Sequence, residues 1–181
     1  DESSARELYR KYQNPGLAAM LSFVGFDKTY VKASGTVLTD AEGKEYLDFL
    51  AGYGALNLGH NPERVIKAVE AVSDRPNILQ ASINPIGAAL AYNLAELTPG
   101  ALSRTFFCNS GTEAVEGGLK LARAATGKKG LVYCRNSFHG KSMGSLSVTG
   151  RDKYRREFTP LVPECIEIPF GDADALKDTL T

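Results

Sequence analysis

The chain has 181 residues, 43% of them hydrophobic and 23% charged, and 21 Lys plus Arg balance 21 Asp plus Glu. A chain of this length buries about 70% of its unfolded surface, so it can hold a real core, and its apolar content excludes intrinsic disorder. Electroneutrality argues against a nucleic-acid partner, which selects a basic excess.

In chain order, residues 2–12 read as a highly charged helix ending at Asn14-Pro15-Gly16. From Thr29 to Leu50 the pattern is short and strand-like, with turn chemistry at Ser34-Gly35 and Glu42-Gly43. Pro62 then opens a helix to about Val72, and Asn61 is placed to cap it. A further helix runs from Pro85 to about Leu97, closed by Pro99-Gly100. The uncharged tract from Pro76 to Ala95 is long enough to raise a membrane span. Its Asn77, Gln80, Ser82, Asn84 and Asn93, with two prolines, exclude one, because lipid cannot satisfy those groups.

After Gly100 the rhythm changes. Thr105–Cys108 predicts a buried strand, and Gly111 to Ala125 a helix stopped by Gly127. Strands follow at Gly130–Cys134 and Cys165–Ile168, and Asp172 begins another helix. Strand, helix, strand with short connections predicts an α/β fold with a parallel sheet. The last helix stops without a cap, so the chain reads as the front part of a larger protein. Cys108, Cys134 and Cys165 each fall in a strand-like run with no metal-ligand spacing. They predict buried, reduced thiols and a cytoplasmic setting.

The sharpest local feature is Phe106-Phe-Cys-Asn-Ser110-Gly111-Thr112-Glu113, a strand feeding a helix through small residues. Helix N-termini present unpaired N–H groups and a positive dipole end, which suit a phosphate. Gly111 lets a ligand approach the backbone, and Ser110 and Thr112 add hydroxyls. Ser110 and Glu113 equally fit a capping box that needs no ligand, and the two readings stand level. Downstream, Asn136-Ser-Phe138-His139-Gly140-Lys141-Ser142 places an aromatic beside a histidine in a second turn. Gly140-Lys141-Ser142 is not a P-loop, since position 135 is Arg where Gly is needed. Gly52-Tyr53-Gly54 likewise fails as a dinucleotide fingerprint, having Asn57 in place of Gly. A donor-rich turn and an aromatic-bearing turn together describe a site for an aromatic phosphate ester, with Phe138 able to stack on a flat ring; taken alone, Phe138 equally reads as core packing and His139 as a turn residue satisfied by backbone.

Asn109-Ser-Gly-Thr-Glu-Ala114 and Phe138-His-Gly140, with Gly52-Tyr-Gly-Ala-Leu-Asn-Leu-Gly-His60 upstream, resemble the class III (ornithine-type) aminotransferases. These are pyridoxal-phosphate enzymes of fold type I. The stretches 107–123, 138–149 and 169–172 look nearest to the putrescine branch. The resemblance implies an N-terminal segment over 1–60 and the front part of the cofactor-binding large domain over 61–181. It implies that Ser110, Gly111 and Thr112 form the phosphate cup, that Phe138 stacks on the pyridine ring and that His139 lies near its polar edge. It puts Tyr53 at the substrate entrance. It also implies a homodimer, an amine donor and a 2-oxo acid acceptor such as 2-oxoglutarate.

Two departures from the family pattern carry information. Members acting on α-amino acids commonly have Arg after Phe-His-Gly, where this chain has Lys141. A point charge cannot clamp a carboxylate bidentately, so a diamine or ω-amine donor is expected. Further, the family's Schiff-base lysine lies in the later half of its longer chains. Lys120, Lys128, Lys129 and Lys153 read as exposed charges, so we expect no catalytic residue in this chain and no activity from it alone. The expectation from a different class is a stand-alone module that binds a phosphorylated metabolite or a partner without catalysis.

Overall fold

The computed structural model describes residues 2–76 and 81–180, so the tract from Pro76 to Ala95 is described except for residues 77–80. The chain divides into two compact units, Asp1–Ser82 and Ile83–Thr181. In the first, helix α1 (Glu2–Tyr12) is followed at once by α2 (Pro15–Phe23). Asn14-Pro15-Gly16 therefore starts a helix as well as ending one: Asn14 Oδ1 accepts the Leu17 N–H at 2.9 Å, and Pro15 takes the first helical position. Proline suits that position because its missing N–H would have no helical partner there.

Strands β1 (Tyr30–Ser34), β2 (Val37–Asp40) and β3 (Glu45–Leu47) form an antiparallel meander with both predicted turns in place. The second turn is built on buried Asp40, whose carboxylate accepts N–H groups of Glu42 at 3.0 Å and Lys44 at 2.9 Å and the Tyr46 hydroxyl at 2.9 Å. Burial works to raise the Asp40 pKa, but these donors hold it below the usual carboxylate value. The same bond pushes the Tyr46 phenol up to about 12.

A single turn, α3 (Ala51–Gly54), and helix α4 (Glu63–Glu70) complete the described part of this unit. Asn61 does not cap α4. It sits at φ +50° and donates from Nδ2 to the Ala33 carbonyl at 2.9 Å, tying the chain to β1 instead. The extended residue before Glu63 is Pro62, which has no side-chain donor or acceptor to offer.

The second unit opens with α5 (Pro85–Leu97), capped by Asn84, and α6 (Gly111–Thr126), capped by Ser110 and stopped by left-handed Gly127. Strands β4 (Leu131–Cys134) and β5 (Cys165–Ile168) pair in parallel, Leu131 opposite Cys165 and Cys134 opposite Ile168. Their crossover carries α7 (Met143–Ser147), α8 (Asp152–Arg155) and a short 3₁₀ turn, and α9 (Ala173–Thr179) follows β5. Mixed α/β architecture with a parallel pair is thus as expected. Among the described residues Tyr133, Leu146, Val148 and Ile168 are the buried apolar side chains, and Ser145, Ser147 and Thr149 are buried in the same unit. The core of this unit therefore lies along residues 145–149, directly behind the candidate site.

Thr105–Cys108 is not a strand. It has no ladder partner among the described residues, and Phe106, Phe107 and Cys108 are exposed. An extended run becomes a strand only when a neighbour pairs with it, and β4 and β5 pair with each other. The buried-thiol expectation fails with it at Cys108, whereas Cys134 and Cys165 are half-buried on their strands. No helix among the described residues is long and apolar enough to cross a membrane.

Candidate functional site

The turn that opens α6 keeps both of its readings. Ser110 is extended at φ −153°, ψ 160°, and its Oγ accepts the Glu113 N–H at 3.3 Å. Glu113 returns a bond one residue further back than a standard capping box, accepting the Asn109 N–H at 2.6 Å. The Ser110 hydroxyl proton and the N–H groups of Gly111 and Thr112 have no acceptor among the described residues. A Cβ built on Gly111 would meet nothing within 4 Å, so this N-terminus faces open space. The serine caps the helix and still leaves donors pointing outward.

Thr112 behaves differently from the sequence expectation. Its hydroxyl points inward, 2.6 Å from Ser142 Oγ and 2.7 Å from Ser145 Oγ, and accepts the Ser142 N–H at 3.3 Å. One helical turn on, Glu116 Oε1 accepts the Ser142 hydroxyl at 2.5 Å and the Ser145 N–H at 3.0 Å. The Ser142 donation holds the Glu116 carboxyl below its ordinary pKa, outweighing the effect of burial. This cluster joins the start of α6 to the loop that carries Phe138, so structure brings the two sequence motifs together.

Gly140 makes that junction possible. It is buried at φ +128°, and a Cβ there would collide with Thr112 Oγ1 and stand 2.6 Å from Ser145 Oγ. Thr149 Oγ1 accepts the His139 N–H at 3.1 Å and faces the carbonyls of Gly140 and Ser145 at 3.2 and 3.0 Å. With its backbone stapled this way, Phe138 is half exposed and meets the Tyr154 ring edge-on at 5.7 Å and 70°. His139 and Lys141 are exposed, and Lys141 Nζ lies 5.4 Å from the centroid of the same Tyr154 ring. Lys153 Nζ approaches that ring too, and its charge lowers the Tyr154 pKa.

Tyr53 belongs to the first unit. Ala51, Gly52 and Tyr53 lie in the left-handed region at φ 46°, 58° and 58°, and Tyr53 is 92% exposed. Such a backbone costs a non-glycine residue roughly 1–2 kcal/mol and needs support from outside. Asp48 supplies it, accepting the Leu50 and Ala51 N–H groups at 2.9 Å each and holding His60 Nε2 at 2.7 Å. Those bonds, the Ala51 N–H first, keep the Asp48 pKa low. A cavity of about 840 Å³ lies elsewhere in this unit, beside Tyr9, Leu21, Phe26 and Tyr30, and none of the candidate site residues lines it.

No sequence motif marks Glu116, Ser145 or Thr149 as site residues, and Ser142 stands out only in the Gly140-Lys141-Ser142 run that is not a P-loop. A faint signal existed: Thr112 and Glu116 are four apart on a helix and share a face, and Ser142 and Ser145 are three apart. Nothing in the spacing says that the two faces meet.

Residues 24–179 match the family model Aminotransferase class-III. The chain belongs to the class-III aminotransferase family. It is 48% identical over 176 residues to Aminotransferase PigE of a Serratia species, covering 96% of this chain and 21% of that protein. It is 44% identical to the putrescine aminotransferase of Pectobacterium atrosepticum, covering 93% of this chain and 38% of that one. The crystal structure of ornithine aminotransferase from Toxoplasma gondii superposes on 99% of this chain and 43% of its own, with a TM-score of 0.85 at 27% identity. The chain thus spans less than half the length of these relatives. Identity to PigE exceeds that to the putrescine enzyme, so the expected putrescine branch widens to the family as a whole.

The architecture is that of part of a fold type I pyridoxal-phosphate transferase, and pyridoxal 5′-phosphate is the family's cofactor. The residues present fit that group. An open helix terminus with two free N–H groups and a serine donor suits a phosphate, and a half-exposed aromatic ring suits a flat heterocycle.

Proposed function

We propose that this chain forms the cofactor-cradling portion of an aminotransferase that moves an amino group from a diamine or ω-amine donor to a 2-oxo acid such as 2-oxoglutarate. The observation that carries this reading is the open N-terminus of α6, with outward donors at Ser110, Gly111 and Thr112, joined through Thr112 to the loop bearing Phe138. Ser110 and the backbone N–H groups of Gly111 and Thr112 would hold the phosphate. Phe138, backed by Tyr154, would lie on the ring, with His139 near its polar edge. When bound, the cofactor supplies the electron sink that amino-group transfer requires. Thr112 contributes its N–H outward, while its hydroxyl braces the loop.

The donor preference rests on Lys141, which is exposed beside the Tyr154 ring, as is Lys153, and offers no planar fork to an α-carboxylate at that position. The strained, exposed Tyr53 turn supports a role for that ring at the substrate entrance. A homodimer and a cytoplasmic setting complete the proposal, the latter supported by the free thiols of Cys108, Cys134 and Cys165. Exposed Lys120, Lys128, Lys129 and Lys153 support the view that the covalent lysine is not among them.

The test is a donor panel run on the complete encoded protein with 2-oxoglutarate, following glutamate formation. Putrescine and cadaverine should exceed ornithine and acetylornithine in kcat/KM. Lys141→Arg should shift the ratio toward the α-carboxylate donors by about tenfold, the size of one gained charge-assisted pair. A parent enzyme that prefers ornithine, with a ratio indifferent to Lys141→Arg, refutes the donor assignment.

A further inference from the structure

We propose that Glu116 is a positioning residue that sets the phosphate-binding turn against the loop carrying Phe138. It acts through the hydroxyls of Ser142, Ser145 and Thr112, and it touches neither phosphate nor ring. The inference rests on reading the Ser110–Thr112 turn as the phosphate site.

The geometry assigns the protons. Ser142 Oγ donates to Glu116 Oε1 at 2.5 Å, so toward Thr112, 2.6 Å away, and Ser145, 2.9 Å away, it can only accept. Thr112 accepts the Ser142 N–H, and its own proton is therefore directed into the serine pair. The carboxylate is the terminal acceptor of this chain, and it takes the Ser145 N–H on the same oxygen. Remove it, and the Ser142 proton must turn elsewhere while the Ser145 N–H loses its partner. The Thr112 hydroxyl is then free to reorient, and with it the first turn of α6.

Sterics confine the carboxylate to this role. A Cβ on Gly144 would collide with Glu116 Oε2 and lie 2.8 Å from its Cδ, so α7 packs directly on the carboxylate. Ser145 is fully buried and Gly140 is buried against Thr112, so neither the loop nor the helix start can move without the other. Thr112 and Glu116 lie one turn apart on one face of α6 and grip Ser142 and Ser145 from two points. Two-point attachment fixes orientation as well as distance, which ring stacking on Phe138 and phosphate binding at Gly111 would need together.

The experiment titrates the complete apoprotein with pyridoxal phosphate, reading both the Kd and the induced circular dichroism of the bound chromophore. Glu116→Ala should weaken the Kd by about tenfold or more and diminish the induced signal, as expected from one buried N–H left unpaired and one hydroxyl misdirected. Glu116→Gln keeps an acceptor oxygen in place and should bind within about threefold of the parent. Ser142→Ala tests the same link without emptying the carboxylate position, and should lose about three- to tenfold. Gly111→Asp places a negative charge at the open helix terminus, where it suits the dipole but repels a phosphate. If Gly111→Asp abolishes binding while Glu116→Ala and Ser142→Ala bind like the parent, the positioning role is overturned and the phosphate site stands. If Glu116→Gln is as weak as Glu116→Ala, charge and not acceptor geometry matters, and the proposal also falls. If Gly111→Asp binds normally, the phosphate reading fails and takes this inference with it.

Discussion

Gly140→Ala is the substitution for which the structure makes the sharpest demand. The residue sits at φ +128°, a region that L side chains rarely adopt, and holding alanine there costs about 1–3 kcal/mol. The added methyl would also overlap Thr112 Oγ1 and lie 2.7 Å from Thr112 Cβ and 2.6 Å from Ser145 Oγ. Thr112 is fixed in the first turn of α6 and Ser145 is fully buried, so neither neighbour can withdraw cheaply. Overpacking of that kind adds about 1–3 kcal/mol. Together the two effects give about 2–6 kcal/mol, a large share of the roughly 5–15 kcal/mol that holds a domain together. Gly118→Ala is the matched control, lying inside α6 where a Cβ meets nothing within 4 Å. It should stabilise by about 0.5–1 kcal/mol, since alanine loses less backbone entropy in a helix. Urea midpoints of the complete protein measure both, and amide hydrogen exchange over residues 138–150 locates the damage. A Gly140→Ala midpoint equal to the parent's, with unchanged exchange in that segment, would falsify the contact between loop and helix.

The acid limb of stability should follow Asp40, Asp48 and Glu116, all held below their ordinary pKa values. The unfolded chain then binds more protons in acid, so their contribution is intact above about pH 4.5 and is lost as pH falls through the folded values. Tyr46, raised to about 12, acts at the other end: its contribution is complete below about pH 10 and is lost as pH climbs toward 12. Urea midpoints against pH check both limbs, Asp40→Asn should flatten the acid one, and a midpoint that rises on acidification contradicts the assignment. Tyr154→Ala removes the edge-on partner of Phe138 and should weaken pyridoxal-phosphate binding by about two- to tenfold, the worth of one aromatic pair. Tyr154→Phe keeps the ring and should bind as the parent does; a fluorescence titration in which both variants behave alike removes Tyr154 from the site.

Local signals located most elements because they act over a few residues. Gly127 stops α6, Asn84 and Pro85 start α5, and Asp172 caps α9 through the Ala175 N–H at 2.8 Å. The same punctuation misled at Asn14-Pro15-Gly16, where end and start signals for helices coincide, and at Asn61, whose amide found a strand carbonyl in place of a helix N–H. Strand formation at Thr105–Cys108 failed for another reason. An apolar run states that a segment wants a neighbour and is silent on whether one is within reach.

Sequence alone determined the α/β class, the parallel pair β4 and β5 with the helix α6 before it, the capped turn at Ser110 and the family to which the chain belongs, because hydrophobic period, cap chemistry and a contiguous motif are all written locally. Only the tertiary structure decided what Thr112 does with its hydroxyl and that Glu116, Ser142 and Ser145 matter. Those groups are 26 to 33 residues apart along the chain, and hydrogen bonds at 2.5–3.0 Å exist only once α6 and the β4–β5 crossover have packed together. The close approach that permits them depends on two positions without a Cβ, Gly140 and Gly144, whose meaning is steric and cannot be read until the opposing atoms are known.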